Sequence, residues 1–221
     1  MKRMSIRVLL VDDHAVVREG YRALLQKHEG ISVVGEAGTA GGAYQAYKEK
    51  NPDVVVMDIS MPGRGGIDAI QHLRGWDSGA RVLIFTMHAQ PVYALQAFRA
   101  GAKGYVTKSS APDLLVSAVR DVACGRTAIC PEIAEALAID RVRSEQSELK
   151  DLSPREFEVL RMLLNASSSD EIASSLNVSR KTVANYHYAI KSKLGVASDI
   201  ELIHYGLRHG LIAPVTPPRP T

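Results

Sequence analysis

Val54-Val55-Val56-Met57-Asp58 decides the fold: four apolar residues in succession, three of them β-branched, stop at a carboxylate. A run this apolar suits a strand covered by helices on both faces of a parallel sheet. Working outward, four more β-branched runs stand at Ile6–Val11, Ile31–Glu36, Arg81–Thr86 and Gly104–Thr107. Amphipathic stretches lie between and after them at Val16–His28, Ala43–Lys50, Ile67–Arg74, Val92–Ala100 and Asp113–Cys124. Strand–helix alternation predicts βαβ units. Right-handed crossovers then give a doubly wound α/β fold with a five-stranded parallel sheet, whose ligands sit at the carboxyl ends of the strands.

Polar residues gather at those ends. Asp12 and Asp13 follow the first run and Asp58 follows the third; in the order 2-1-3-4-5 these strands are neighbours at the topological switch point. Three converging carboxylates repel one another unless a cation joins them. An all-oxygen set on loops suits Mg²⁺. Thr86 closes the fourth run and Lys108 follows the fifth, adding a hydroxyl and an ammonium fitted to phosphoryl oxygens. Asp58 is the expected nucleophile, forming an acyl phosphate. Singly, each residue has a plainer reading: an Asp after a strand is ordinarily a turn or N-cap residue, and a Lys there is ordinarily solvated. The expectation rests on all five meeting at one sheet edge.

The motifs Leu10-Val11-Asp12-Asp13-His14, Val56-Met57-Asp58-Ile59-Ser60-Met61-Pro62-Gly63, Thr86, and Gly101-Ala102-Lys103-Gly104-Tyr105-Val106-Thr107-Lys108 strongly resemble bacterial response-regulator receivers. The resemblance implies a flavodoxin-like fold and a phosphoryl group received on Asp58 from a sensor histidine kinase. It further implies Mg²⁺ held by Asp13 and Asp58, by Asp12 partly through water, and by the carbonyl of Ser60. Thr86 and Tyr105 would form the switch pair, although the residues alone allow Tyr105 to be a half-buried strand aromatic. Two positions depart from the common pattern: Ser109 follows Lys108 where many receivers have Pro, and Met87 follows Thr86 where a small residue is frequent. Met87 is expected to restrict access to Asp58.

The remainder reads differently. Pro131–Arg143 can form one helix, and Ser144–Lys150 lacks apolar periodicity, as a linker does. Ser153-Pro154-Arg155-Glu156 opens a helix with a capping box and Pro at its first position. A helix over Pro154–Leu164, a short one over Ser169–Leu176, a turn at Asn177-Val178-Ser179 and a longer helix over Arg180–Leu194 make a helix-turn-helix pattern. At about 100° per residue, Val183, His187, Ile190 and Leu194 share the inward face. Lys181, Ala184, Asn185, Tyr188, Lys191 and Ser192 lie opposite, with Arg180 and Lys193 adding charge and no acid in the helix. On an isolated helix such a face is ordinarily just solvated; behind a short helix and turn it suits a major groove. Lysine and arginine would fix phosphates, while Asn185 and Tyr188 reach base edges. This segment resembles LuxR/NarL-type output domains through Leu152-Ser153-Pro154-Arg155-Glu156, Glu171-Ile172-Ala173, Val178-Ser179, Lys181-Thr182-Val183 and Lys191-Ser192-Lys193-Leu194-Gly195. Asp199-Ile200-Glu201-Leu202 and Arg208-His209-Gly210-Leu211 look like the GacA/UvrY subgroup. The resemblance implies DNA contacts from Arg180, Lys181, Thr182, Ala184, Asn185, Tyr188 and Lys191, and dimerisation through the last helix. Asp170 stands where that family often has lysine or a neutral residue, and Ala184 where lysine is frequent.

The expected organisation is therefore a receiver over 1–125, a helix-bearing linker over 126–150, a DNA-binding domain over 151–213 and a disordered tail over 214–221. The expected partners are double-stranded promoter DNA, a sensor histidine kinase and a second copy of the chain, at least when phosphorylated. With 221 residues and a net charge of +3, bulk charge alone does not argue for nucleic acid. Val8–Val11 is cut off by Asp12 and Asp13, which fits neither a signal peptide nor a membrane span, so a cytoplasmic protein is expected. Cys124 and Cys130 have neither redox nor zinc spacing and read as plain thiols. A Mg²⁺-dependent aspartyl-phosphate phosphatase would use the same acidic edge. The sequence shows no second acid placed as a general acid and no cap domain for one, so no enzyme is expected. A DNA-binding protein with a vestigial receiver is the other alternative.

Overall fold

The five apolar runs are strands of one parallel sheet: β1 (Ile6–Val11), β2 (Ile31–Ala37), β3 (Val54–Met57), β4 (Val82–Thr86) and β5 (Gly104–Thr107). Every residue of β3, β4 and β5 is buried, which is why these runs carry no polar alternation. Helices α1 (Ala15–Gln26), α2 (Ala40–Lys50), α3 (Gly66–Trp76), α4 (Pro91–Ala100) and α5 (Pro112–Ala123) alternate with them. The computed structural model describes residues 5–61, 65–143 and 148–212. The chain divides into two compact units between residues 145 and 146.

The sheet has six strands, not five. Its order is 2-1-3-4-5-6, because Ala128–Ile129 forms a short parallel strand, β6, on the outer edge of β5. The amide of Ala128 donates to the carbonyl of Lys103 and that of Cys130 to Tyr105, both at 3.1 Å. Two residues make one alternation, too little to show a period in the sequence. Helix α6 (Pro131–Arg143) follows as expected and packs against α4. Thus 128–143, within the segment expected to be linker, is built into the first unit. Residues 144–147 and the expected tail over 214–221 lie outside the described residues.

The second unit is helical. A single 3-10 turn over Glu148–Asp151 precedes α7 (Pro154–Leu164), α8 (Ser169–Leu176), α9 (Arg180–Lys193) and α10 (Asp199–Arg208). The capping box at Ser153 and Glu156 forms as expected, and a second one forms at Ser168 and Glu171. Asn177 ends α8 in the left-handed region at φ 54°, which turns the chain tightly into Ser179, the N-cap of α9. Phe157, Val159, Leu160, Ile172, Leu176, Val183, Ile190 and Leu202 form the core. Among the described residues, no helix is long and apolar enough to cross a membrane.

Candidate functional site

Strand register builds the first site. Val11 lies opposite Met57, and the amide of Asp58 donates to the carbonyl of Val11 at 2.9 Å, so Asp12 and Asp58 leave adjacent strands side by side. Thr86 pairs with Thr107, and the amide of Lys108 donates to the carbonyl of Thr86 at 2.7 Å, which delivers the lysine to the same edge. Its Nζ donates to Asp12 Oδ2 at 2.5 Å and to Asp58 Oδ2 at 2.6 Å. All three side chains are less than a tenth exposed. The other oxygen of Asp58 accepts the Ser60 amide at 3.0 Å. Burial opposes ionisation of Asp58, but hydrogen bonds from Lys108, the Ser60 amide and Thr86 outweigh it and hold the carboxyl below its ordinary range. Burial likewise opposes the charge on Lys108, and Asp12 and Asp58 together reverse that and raise it. The acid is thus an anion aimed by two donors, the form a nucleophile needs.

Asp13 differs from its neighbour. Asp12 spends both oxygens, one on Lys108 and one on the His14 amide at 2.8 Å. Asp13 Oδ1 is buried without a hydrogen-bond partner; His14 Nδ1 stands 2.8 Å away but off the line of a hydrogen bond. One ligand atom from each of Asp12, Asp13 and His14 lies within 4.8 Å of the others. A buried carboxylate oxygen with no donor, beside the Asp12 carboxylate, fits a hard divalent cation. The imidazole of His14 belongs to a softer class of ligand and lies mostly in solvent.

Thr86 and Tyr105 meet at one residue. Thr86 is fully buried, and its Oγ1 lies 3.5 Å from the amide of His88. Tyr105 is also fully buried, and its hydroxyl donates to the carbonyl of His88 at 2.8 Å. The His88 ring stacks on Tyr93 with centroids 4.1 Å apart. The segment after β4 is therefore tied to both Thr86 and Tyr105. Met87, next to Thr86, is 68% exposed. Among the described residues every peptide bond is trans, that between Lys108 and Ser109 included.

Several participants had no signal in the sequence reading. Arg18 on α1 donates to the carbonyl of Asp12 at 2.5 Å and fixes that turn. Gly66 presses on the backbone of the Asp58 loop; a Cβ there would lie 2.5 Å from the carbonyl oxygen of Asp58. Thr107, next to Lys108, bonds Ser110 at 2.8 Å and Glu132 in the first turn of α6 at 3.2 Å.

The second site is the outer face of α9. Val183, Ile190 and Leu194 are buried and His187 is partly covered, as the angular reading expects. Lys181, Ala184, Asn185 and Tyr188 are exposed, Tyr188 to 76%. Thr182 is engaged in the cap, its hydroxyl 2.8 Å from that of Ser179. Acids from neighbouring elements hold three of the four cations of this helix. Arg180 pairs with Asp170 of α8, Lys191 with Asp199 at 3.0 Å, and Lys193 with Glu156 at 2.7 Å. Among the described residues Lys181 has no acidic partner. On α10, Ile200, Ile203 and Leu207 form an apolar stripe that is 68%, 45% and 36% exposed.

Both halves match family models: residues 8–120 match the response regulator receiver domain, and residues 150–206 the luxR family of bacterial regulatory proteins. The chain belongs to the LuxR-type response regulators. Members of this family are DNA-binding transcriptional regulators of two-component systems. The response regulator UvrY of Escherichia coli K12 is 39% identical over 93% of this chain and 95% of its own length. The response regulator GacA of Pseudomonas aeruginosa is 37% identical over 94% and 98%. Among solved structures, RcsB from Salmonella enterica serovar Typhimurium, bound to promoter rprA with the phosphomimetic BeF3-, superposes with a TM-score of 0.74. It is 29% identical over 91% of this chain and 98% of its own. The similarity to UvrY and GacA bears out the subgroup expected from the α10 motifs. For this response regulator, the acid edge and the outer face of α9 are the two surfaces that need a chemical assignment.

Proposed function

We propose that this response regulator accepts a phosphoryl group on Asp58 from a sensor histidine kinase, and then binds double-stranded promoter DNA through α9 as a homodimer. The observation that carries the reading is the buried bridge from Lys108 to Asp12 and Asp58, with the Ser60 amide aiming the remaining oxygen of Asp58. An Asp58 oxygen attacks phosphorus, the donor leaves with the bonding pair, and an acyl phosphate remains. Lys108 turns its ammonium from the carboxylates to the incoming phosphoryl oxygens, and Thr86 donates its hydroxyl to them. Asp12, Asp13, Asp58 and the carbonyl of Ser60 would hold Mg²⁺, which supplies charge neutralisation at those oxygens when bound. Thr86 and Tyr105 form the switch pair: a shift of Thr86 onto the phosphoryl group alters its contact with the His88 amide, and Tyr105 responds through the carbonyl of the same residue. Phosphorylation then acts by population shift, favouring the pairing-competent form.

In the DNA complex Lys181 and Lys191 hold phosphates, with Arg180, Thr182, Ala184, Asn185 and Tyr188 on the groove side of α9. The exposed stripe on α10 is the proposed pairing surface, and a two-fold pair reads half-sites about one helical turn apart. The chain works in the cytoplasm and needs no turnover of its own. The test is duplex binding by wild type and Asp58→Ala, each with and without an acyl phosphate donor and Mg²⁺. The donor should tighten wild-type binding and leave the variant unchanged. Equal binding with and without donor in the wild type would sink the switch and leave DNA binding standing.

A further inference from the structure

Asp170 is the odd charge on the proposed groove face. It is the second residue of α8 and mostly exposed, and a carboxylate near bound DNA opposes binding to any sequence. Its place in the fold gives it a task. Arg180, the first residue of α9, donates from Nε to Asp170 Oδ1 and from Nη2 to Asp170 Oδ2. Neither side chain is buried; the arginine is 72% exposed and the aspartate 59%. A guanidinium has two edges able to make paired hydrogen bonds: the side edge, from Nε and Nη2, and the end, from Nη1 and Nη2. Asp170 takes the side edge. With the arginine 72% exposed, the end is the edge left for another partner, at the N-terminus of α9, the part of a recognition helix that meets base edges.

We propose that Asp170 is a specificity-determining positioning residue, which holds Arg180 so that the end of its guanidinium reads the O6 and N7 of a guanine. A free arginine at the same place would settle on whichever phosphate oxygen is nearest. A braced one presents two parallel donors in one direction, and guanine offers two acceptors at matching spacing in the major groove. The same carboxylate weakens binding to non-cognate DNA, so one residue sharpens the correct contact and penalises the others. The proposal rests on α9 being the DNA-reading helix.

The test selects from a randomised duplex library with the full chain, in acyl phosphate and Mg²⁺, followed by salt titrations on the enriched duplex and a scrambled one. Wild type should enrich a G·C pair at one step of each half-site. Asp170→Ala should cut discrimination at that step about ten-fold, with binding to scrambled duplex equal or tighter. Arg180→Lys keeps the charge but not the fork and should lose the same preference; adding Asp170→Ala to it should change that preference no further. Retention of the G·C preference in either single variant overturns the proposal and leaves α9 as the reader. A wild type that enriches no sequence overturns both. Circular dichroism melts identify any variant that fails to fold, and Arg180→Lys, with Asp170 retained, tests the fork independently.

Discussion

Two clusters of the same chemistry, a basic side chain forked between carboxylate oxygens, behave in opposite ways in the two halves of this molecule. Around Lys108 all three side chains are less than a tenth exposed. Around Arg180 both are mostly in solvent. A charge removed from the first leaves partners that water cannot reach, whereas one removed from the second leaves groups that water solvates at once. The first cluster is therefore part of the fold as well as of the chemistry. The second, mostly in solvent, should cost the fold little when broken.

The largest effect that would test this contrast is in the first cluster. Lys108→Ala leaves Asp12 and Asp58 buried and uncompensated, and the first unit should lose about 3–5 kcal/mol. Urea unfolding followed by the fluorescence of Trp76, the sole tryptophan, reads that unit alone. Added Mg²⁺ should restore part of the loss by binding the freed carboxylates. A loss below about 1 kcal/mol, on the scale of exposed pairs, would break the comparison. Gly66→Ala comes next. Its Cβ would meet backbone at 2.5 Å and 2.6 Å, at Asp58 and Ile59, which no side-chain rotation relieves. A cost of about 1–3 kcal/mol is expected, with slower phosphoryl uptake as the Asp58 loop shifts. Unchanged uptake would show that the loop tolerates the shift. Ser168→Ala removes the cap of α8 and should cost the second unit about 1 kcal/mol in thermal unfolding. The smallest effect is the most pointed: Asp170→Ala breaks a two-bond ion pair and should alter stability by less than about 0.5 kcal/mol. A loss as large as that from Lys108→Ala would mean that exposure does not separate the two clusters.

The parts of this architecture legible in the sequence are those where one pattern repeats. Val54–Met57 is apolar throughout because β3 is buried on both faces, and the carboxylate that ends it marks the sheet edge. On α9 a period of three to four residues separates the buried Val183 and Ile190 from the exposed Asn185 and Tyr188. What escaped had no period. Strand β6 owes its existence to the open edge of β5 rather than to its two residues. Asp170 departs from the family pattern, and its meaning lies in Arg180, ten positions on and across a turn that alone brings them together. Gly66 acts on a carbonyl oxygen, and Glu132 on a hydroxyl 25 positions away; neither atom is visible in hydrophobic patterning.

Strand β6 bears on how the molecule can be taken apart. A long bare strand edge invites pairing with other chains, and very short edge strands are one way proteins prevent it. Here Ala128 and Ile129 occupy the open flank of β5, and α6 follows them onto the same unit. A fragment cut at residue 125 would uncover the flank beside Lys108 and offer it to its neighbours in concentrated solution. One that runs to residue 143 keeps its own cover, so the useful place to divide the two halves lies well past the point where the α/β alternation ends.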